Sequence, residues 1–355
     1  MTSITYHDLA SEYYMAYAVD GLMAEAAKRG CKFSVSKEPP VFLRQIDLGA
    51  QDRNLIYSLG IFQVKDRSTT TWFCIDSHDD SSAQGYFRSV LHKVDAYFKL
   101  NCNPSVFSND AELSGSKEKI HSLGCTFSVR PSRPWLFFPR LRPCTAYRWN
   151  WLSVKRRLRF FQSVPNLEWH RQLRLQEPNH DVFLVRRYYH ETGHSQSNEV
   201  CSRIFESVKQ HTKLSGPIGF TNTSAATPAR FLRHAVGPDR THRCHLTQAA
   251  RSRVCVYIPG TYDCLSFKFG QYLALGKPVI GLRLPFWPLP DMDNASKAVL
   301  EEQFCCSEPE QIPMKLLELL QDTRRMAALS ASNVSIYERY LSPRAVAGRI
   351  LDRVI

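Results

Sequence analysis

The sequence predicts an α/β protein built from two domains. Three observations carry that expectation. The chain has 355 residues, more than one hydrophobic core usually organises. It is 43% hydrophobic and 12% aromatic, enough apolar side chain to bury a sizeable core. And the strand–polar loop–helix–strand rhythm of α/β proteins occurs twice, on either side of a proline-broken stretch.

In the first series, residues 9 to 29 predict a helix, with Leu9, Tyr13, Ala16, Tyr17, Asp20 and Ala24 at helical spacing and Gly30 as the stop. Asp20 reads as a solvated or capping residue. Cys31 to Ser36 alternates as a short strand before Pro39-Pro40. Thr70 to Ile75 is a compact apolar strand that runs into Asp76-Ser77-His78-Asp79-Asp80. A helix is expected over Ala83 to Leu91, a strand over Val94 to Leu100, and a polar loop over Asn109 to Lys119. Pro131, Pro134, Pro139 and Pro143 then break the chain.

The second series opens after Pro165 and Pro178. Asp181 to Tyr188 is a buried strand ending in Arg186 and Arg187, Glu199 to Gln210 a helix, Ile218 to Thr221 a brief strand and Thr227 to His234 a helix. Arg253 to Ile258 is a strong buried strand, followed by Pro259-Gly260, a helix over Ser266 to Leu275 stopped by Gly276, and a strand over Lys277 to Leu282. Met314 to Leu320, Thr323 to Ser330 and the amphipathic Pro343 to Val354 are helical.

Charge is concentrated. The chain holds 46 Lys and Arg against 33 Asp and Glu, a formal charge of +13. Between Arg130 and Arg159 lie Arg130, Arg133, Arg140, Arg142, Arg148, Lys155, Arg156, Arg157 and Arg159 with no acid among them, so this segment holds +9 of the +13. Trp135, Phe137, Phe138, Tyr147, Trp149 and Trp151 interleave with them, and Phe160 and Phe161 follow. Three readings fit: a surface for anionic lipid, a groove that stacks nucleic-acid bases, or a linker whose rings complete neighbouring cores while its arginines stay solvated. Nucleic acid ranks last of the three.

Several classes are excluded or disfavoured. No run of eighteen apolar residues exists, so no transmembrane helix is expected. The start, Met1 to Asp8, lacks the basic and apolar parts of a signal peptide. The 11 cysteines are odd in number and scattered, with only Cys305-Cys306 adjacent, which favours reduced thiols and a cytoplasmic setting. No P-loop, G-x-G-x-x-G or G-x-S-x-G pattern occurs and no zinc site is expected, although one H-E-x-x-H spacing, His190 to His194, is present.

The stretch Arg253 to Ile280 carries the most chemistry. It predicts strand, glycine turn, helix, glycine stop and strand, with the turn at the carboxyl end of a parallel strand, where α/β sheets bind ligands. Free amides at the start of the helix suit a phosphate, and Lys268 adds a point charge. An ordinary βαβ unit with a surface Asp and Gln fits the spacing equally well. Gln271-Tyr272-Leu273-Ala274-Leu275-Gly276-Lys277-Pro278-Val279-Ile280, with Asp263 eight residues before Gln271, resembles the donor-binding segment of GT-B glycosyltransferases of the glycogen-synthase-like and exostosin-like families. Their pattern is an acid, seven residues, a second acid and a similar Gly-Lys-Pro-Val-Ile run. Here Asp263 and Gln271 replace the two acids. The likeness covers about 30 residues.

The resemblance implies two Rossmann-like domains facing across a cleft. An acceptor-side domain would span 1–165 and include 130–159. A nucleotide-sugar domain would span 166–335, and a final helix, 336–355, would pack back on the first domain. It implies transfer of a sugar from a nucleotide-diphosphate sugar to a hydroxyl acceptor, glycan or lipid-linked, with no required cofactor or metal. The expected donor site comprises Arg186, Arg187, Gly260, Thr261, Tyr262, Asp263, Ser266, Phe267, Lys268 and Gln271. Gln271 takes the ribose-holding position and Asp263 the sugar-contacting one; the cations and helix start stabilise the leaving diphosphate. His78 or Asp79 is the candidate base, since the loop follows a strand at its carboxyl end; helix capping by clustered acids is the competing reading. The alternatives are a non-catalytic module of the same fold, or a nucleic-acid-associated protein such as a DNA-base glycosyltransferase. Peripheral association with an anionic membrane through 130–159 is compatible with the main reading.

Overall fold

The structure, a computed structural model, describes residues 1–8, 12–45, 58–133, 158–159, 161–191, 194–237, 241–260, 264–284, 286–287, 289 and 291–355. Among the described residues ten strands run in chain order: β1 Ser3–His7, β2 Lys32–Ser36, β3 Leu59–Asp66, β4 Thr69–Asp76, β5 Ala96–Lys99, β6 Ile120–Ser122, β7 His180–Arg187, β8 Ile218–Thr221, β9 Ser252–Tyr257 and β10 Val279–Gly281. The helices of eight residues or more are α1 Glu12–Lys28, α2 Ser195–His211, α3 His242–Ala250, α4 Phe267–Ala274, α5 Asn294–Gln303, α6 Ile312–Gln321, α7 Thr323–Ile336 and α8 Pro343–Val354.

The strands form two sheets. The first has the order β2-β1-β3-β4-β5-β6 and the second β10-β9-β7-β8. The second sheet is parallel throughout. Val182 and Leu184 of β7 and Val254 and Val256 of β9 enter one core, while Phe183, Val185, Cys255 and Tyr257 enter another. A strand buried on both faces reads as a continuous apolar run, because alternate side chains serve opposite layers. That is why β7 and β9 stand out in the sequence.

The first sheet is mixed. β4, β5 and β6 are parallel, as are β1 and β2, but β3 runs antiparallel to both β1 and β4. Its hairpin turns at Arg67, which takes a left-handed φ of 45°. The core that lines one face of this sheet, with Phe62, Phe73, Ile75 and Phe98, is continuous with the one behind β7 and β9. The two halves therefore share apolar side chains. α8 packs on α1 in the first half, and the Tyr17 hydroxyl donates to Leu341 O at 2.5 Å. Asp20 accepts from Ser132 N at 2.8 Å and from Ser132 Oγ at 3.0 Å, capping the chain as it enters the basic segment. Of that segment, 134–157 lie outside the described residues. No helix is long and apolar enough to cross a membrane, among the described residues.

Two local expectations need correction. Ala83 to Leu91 is a 3₁₀ turn, Ala83–Gly85, and a separate short helix, Arg88–Leu91, because the Gly85 carbonyl is taken by the Lys99 ammonium at 3.0 Å rather than by a helical amide. Asn109 to Lys119 holds a short helix, Ala111–Gly115, started by Asp110, whose side chain accepts from Leu113 N.

Candidate active site in the cleft between the sheets

The carboxyl ends of the parallel strands of both sheets converge on one cleft of about 490 Å³. Its first wall carries Ser77 and Asp79 after β4, Leu100 after β5, and Thr126 to Ser128 beyond β6. Its second wall carries Val185 to Arg187 and Tyr189 at the end of β7, Thr221 at the end of β8, and Ser266 to Lys268 beyond β9. β8 lies on one side of β7 and β9 on the other. The connections leave these two strands in opposite directions, which opens the crevice where doubly wound sheets bind ligands.

Asp79 is the acid of the first wall. It keeps an exposed face while protein fills most of the volume around its carboxyl, as expected of a side chain lining a cleft. Burial pushes its pKa above the ordinary carboxylate range, against the opposing pull of His78, Lys99 and Arg186. His78 does not line the cleft: its ring lies 6.5 Å from that of Phe87, and its Nδ1 is buried without a partner among the described residues. The loop is held from beneath. Asp76 and Lys99, both fully buried, pair at 3.0 Å. Asp76 also accepts from His78 N at 2.8 Å and from the Tyr97 hydroxyl at 2.5 Å. Lys99 donates to His78 O at 2.8 Å and Gly85 O at 3.0 Å. Asp76 thus turns the chain, and Lys99 satisfies it.

On the second wall the two adjacent arginines have different work. Arg186 is buried and donates to Ile258 O at 3.2 Å and Pro259 O at 2.8 Å, tying the end of β7 to the turn after β9. Arg187 is exposed on the cleft, and its side chain makes no hydrogen bond or ion pair with the described residues. Lys268 also lines the cleft and donates to Val185 O. Ser266 caps α4, accepting from Lys268 N at 3.5 Å. Phe267 opens that helix and is 39% exposed on the cleft wall, so the helix start faces the cavity.

Gly260 is placed by sterics: its amide donates to Cys264 O at 2.8 Å, and a Cβ there would come 2.2 Å from Cys264 Sγ. The residues that this turn encloses, Thr261, Tyr262 and Asp263, lie outside the described residues. Gln271 is 1% exposed, stands away from the cleft lining, and has neither amide atom paired with the described residues. Gly276 ends α4 with a φ of 65°, the left-handed stop that its place in the sequence implies.

Sequence reasoning passed over several cleft residues. Thr241 caps α3, accepting from Cys244 N at 3.1 Å, and His242 and His245 sit three apart on the helix face toward the cleft. The signal was there in a capping threonine followed by two histidines at helical spacing. Tyr189 is held by Asn198, which donates to its carbonyl at 2.8 Å and accepts from its amide at 3.3 Å. Nothing local marks Lys99 or Asn101, whose partners are remote in sequence.

No protein-family model and no curated protein matches the chain. Among solved structures it is similar to one described as a UDP-N-acetylglucosamine 2-epimerase from Listeria monocytogenes, at 13% identity and a TM-score of 0.35, over 78% of this chain and 66% of that one. It is also similar to the spinosyn forosaminyltransferase SpnP, at 12% identity and a TM-score of 0.37, over 98% of this chain and 97% of that one. The chain thus spans just under two thirds of the epimerase. At these levels neither likeness carries an argument about chemistry, which rests on the residues of the cleft.

Proposed function

We propose that this protein is a glycosyltransferase that moves a sugar from a nucleotide-diphosphate sugar to a hydroxyl acceptor in the cleft between the two sheets. One observation carries the reading: the Asp79 carboxylate stands on one wall of the cleft, and Arg187, without a side-chain partner among the described residues, and the start of α4 stand on the other. The donor-segment resemblance around Gln271 to Ile280 agrees with it.

The proposed chemistry follows from those groups. The acceptor oxygen attacks the anomeric carbon as its proton passes to the Asp79 carboxylate. The bond from that carbon to the diphosphate oxygen breaks, and its electron pair leaves with the diphosphate. Arg187 and the positive dipole end of α4 stabilise the growing charge. Lys268, with three donors on its ammonium, adds to them. Asp79 suits a base because a carboxylate in a desolvated site is a stronger proton acceptor than one in water.

The anionic membrane surface or anionic acceptor expected at 130–159 stays part of the proposal, since nine cations without an acid suit such a partner. A second reading, a binding module that does not turn over, is favoured by Gln271, whose unpaired amide is buried away from the cleft. Thermal shift against a panel of nucleoside diphosphates and nucleotide-sugars tests the donor site, since a ligand that binds only the folded state raises the melting temperature. A shift for at least one nucleoside diphosphate is expected; no shift across the panel counts against any donor site. Donor turnover then separates transferase from inert module.

A further inference from the structure

The end of β5 reaches both walls of the cleft. Lys99 is the last residue of the strand and Asn101 lies two residues beyond it; both are fully buried. Lys99 holds the Asp79 loop through His78 O at 2.8 Å and through its ion pair with Asp76 at 3.0 Å. Asn101 accepts from the Leu265 amide of the other half at 2.8 Å. Leu265 immediately precedes Ser266, the cap of α4. Leu100, between the two, lines the cleft itself. The contact does not stand alone, because the Cys125 thiol donates to Ser266 O at 3.4 Å from the same side.

We infer that the carboxyl end of β5 is a positioning strut: Lys99 sets the base loop and Asn101 sets the start of the donor-side helix, so that three consecutive residues fix the spacing between the two reacting partners. The inference rests on the proposed function for the meaning of that spacing, but its two halves are measurable without turnover. Buried groups suit this work. An ammonium with three protein acceptors in fixed directions has one low-energy arrangement, and breaking it leaves a buried charge unpaired. Neither residue touches the space where a substrate would sit, so both act through the groups they hold. Asp79 is faced by His78, Lys99, Asp76 and Cys125 from its own half and by Arg186 and Cys264 from the other. Of these, only Lys99 is a buried cation bonded to the backbone of the loop itself.

Two variants test the strut, read by two probes. Lys99→Met is expected to move the titration of the Asp79 carboxyl to higher pH, followed by carbon NMR on aspartate-labelled protein, with affinity for inorganic pyrophosphate within twofold of wild type. Asn101→Ala is expected to do the reverse, leaving the Asp79 titration in place while weakening pyrophosphate binding about tenfold by calorimetry, because the start of α4 loses its anchor. If Lys99→Met does not fold, the charge-free pair Asp76→Asn with Lys99→Met replaces it. The loss then reads as faster hydrogen exchange at the amides of the 77–80 loop. An unmoved Asp79 titration in folded Lys99→Met, or unprotected-loop exchange equal to wild type in the replacement pair, overturns the Lys99 half. Wild-type pyrophosphate affinity in Asn101→Ala overturns the other. A wild-type protein that binds no pyrophosphate removes both the donor reading and the Asn101 half, while the Asp79 measurement still decides Lys99.

Discussion

Arg186 and Arg187 are neighbours at the end of one strand, and the structure gives them opposite consequences when removed. Arg186→Met deletes two hydrogen bonds from a charged donor, to Ile258 O and Pro259 O, and leaves both carbonyls without that donor. Each such bond contributes about 1.5–3 kcal/mol net. Relief from burying a cation offsets part of the loss, so a net destabilisation of about 3 kcal/mol is expected. For a cooperative unit of about 150–250 residues this lowers Tm by roughly 6–12 °C. Arg187→Met removes an exposed side chain with no partner among the described residues, and stability should stay within about 0.5 kcal/mol. Its effect falls on the ligand: one lost charge-assisted contact to a diphosphate is worth about 1.5–3 kcal/mol, a loss in affinity of roughly 10- to 150-fold. Differential scanning calorimetry reads the first quantity and isothermal titration with a nucleoside diphosphate the second. An Arg187→Met protein that loses as much Tm as Arg186→Met, or binds the ligand as tightly as wild type does, would rule out this division of roles.

Three further outcomes follow from the same geometry. Asp79→Asn should abolish sugar transfer by a factor of about 10²–10⁴ without lowering Tm, because it removes a carboxylate that burial disfavours; in wild type the ascending limb of the kcat/KM profile should lie above the usual carboxylate range, since only the deprotonated form accepts a proton. Gly260→Ala should weaken donor binding by deforming the turn, because its Cβ would meet Cys264 Sγ at 2.2 Å, and restored affinity in Gly260→Ala with Cys264→Ala would identify that clash as the cause. His170 is buried with its pKa lowered to about 4 by desolvation, below its ordinary unfolded value, so the folded state resists protonation: stability attributable to this group is complete above about pH 6.5 and falls toward pH 4 by up to about 3 kcal/mol. Urea titrations from pH 4 to 7 should therefore show a difference between wild type and His170→Gln that changes with pH, and a constant difference would remove His170 as the cause.

The parts of this molecule that obey local rules were legible in its sequence. β9, the Pro259-Gly260 turn, α4 and the Gly276 stop follow one another as apolar run, steric glycine, amphipathic turns and left-handed stop, and each leaves a mark on the residues that form it. The β3–β4 hairpin was not legible on the same terms. Its turn residue with positive φ is Arg67, where glycine or asparagine would have announced it. Without that signal β3 and β1 pass unnoticed, and the mixed character of the first sheet with them. In the cleft, Asp79 and Arg187 could be named because both stand at the carboxyl ends of recognisable strands. Arg186 could not be told from Arg187 by sequence, since the distinction is which side of β7 each side chain takes. Lys99 reads as the tail of a strand; its partners Asp76 and His78 lie more than twenty residues away in sequence, and only the parallel pairing of β4 with β5 brings them together.

A cleft that breaks the bond between a sugar and a nucleoside diphosphate, with Asp79 and Arg187 on opposite sides of it, should also release the diphosphate slowly to water. Release of nucleoside diphosphate from a panel of nucleotide-sugars tests that most directly, measured with water as the only acceptor in wild type, Asp79→Asn and Arg187→Met. Slow release from at least one donor by wild type is expected, with both variants at least tenfold slower. Release from no donor by the folded protein, or equal release by all three proteins, would contradict it.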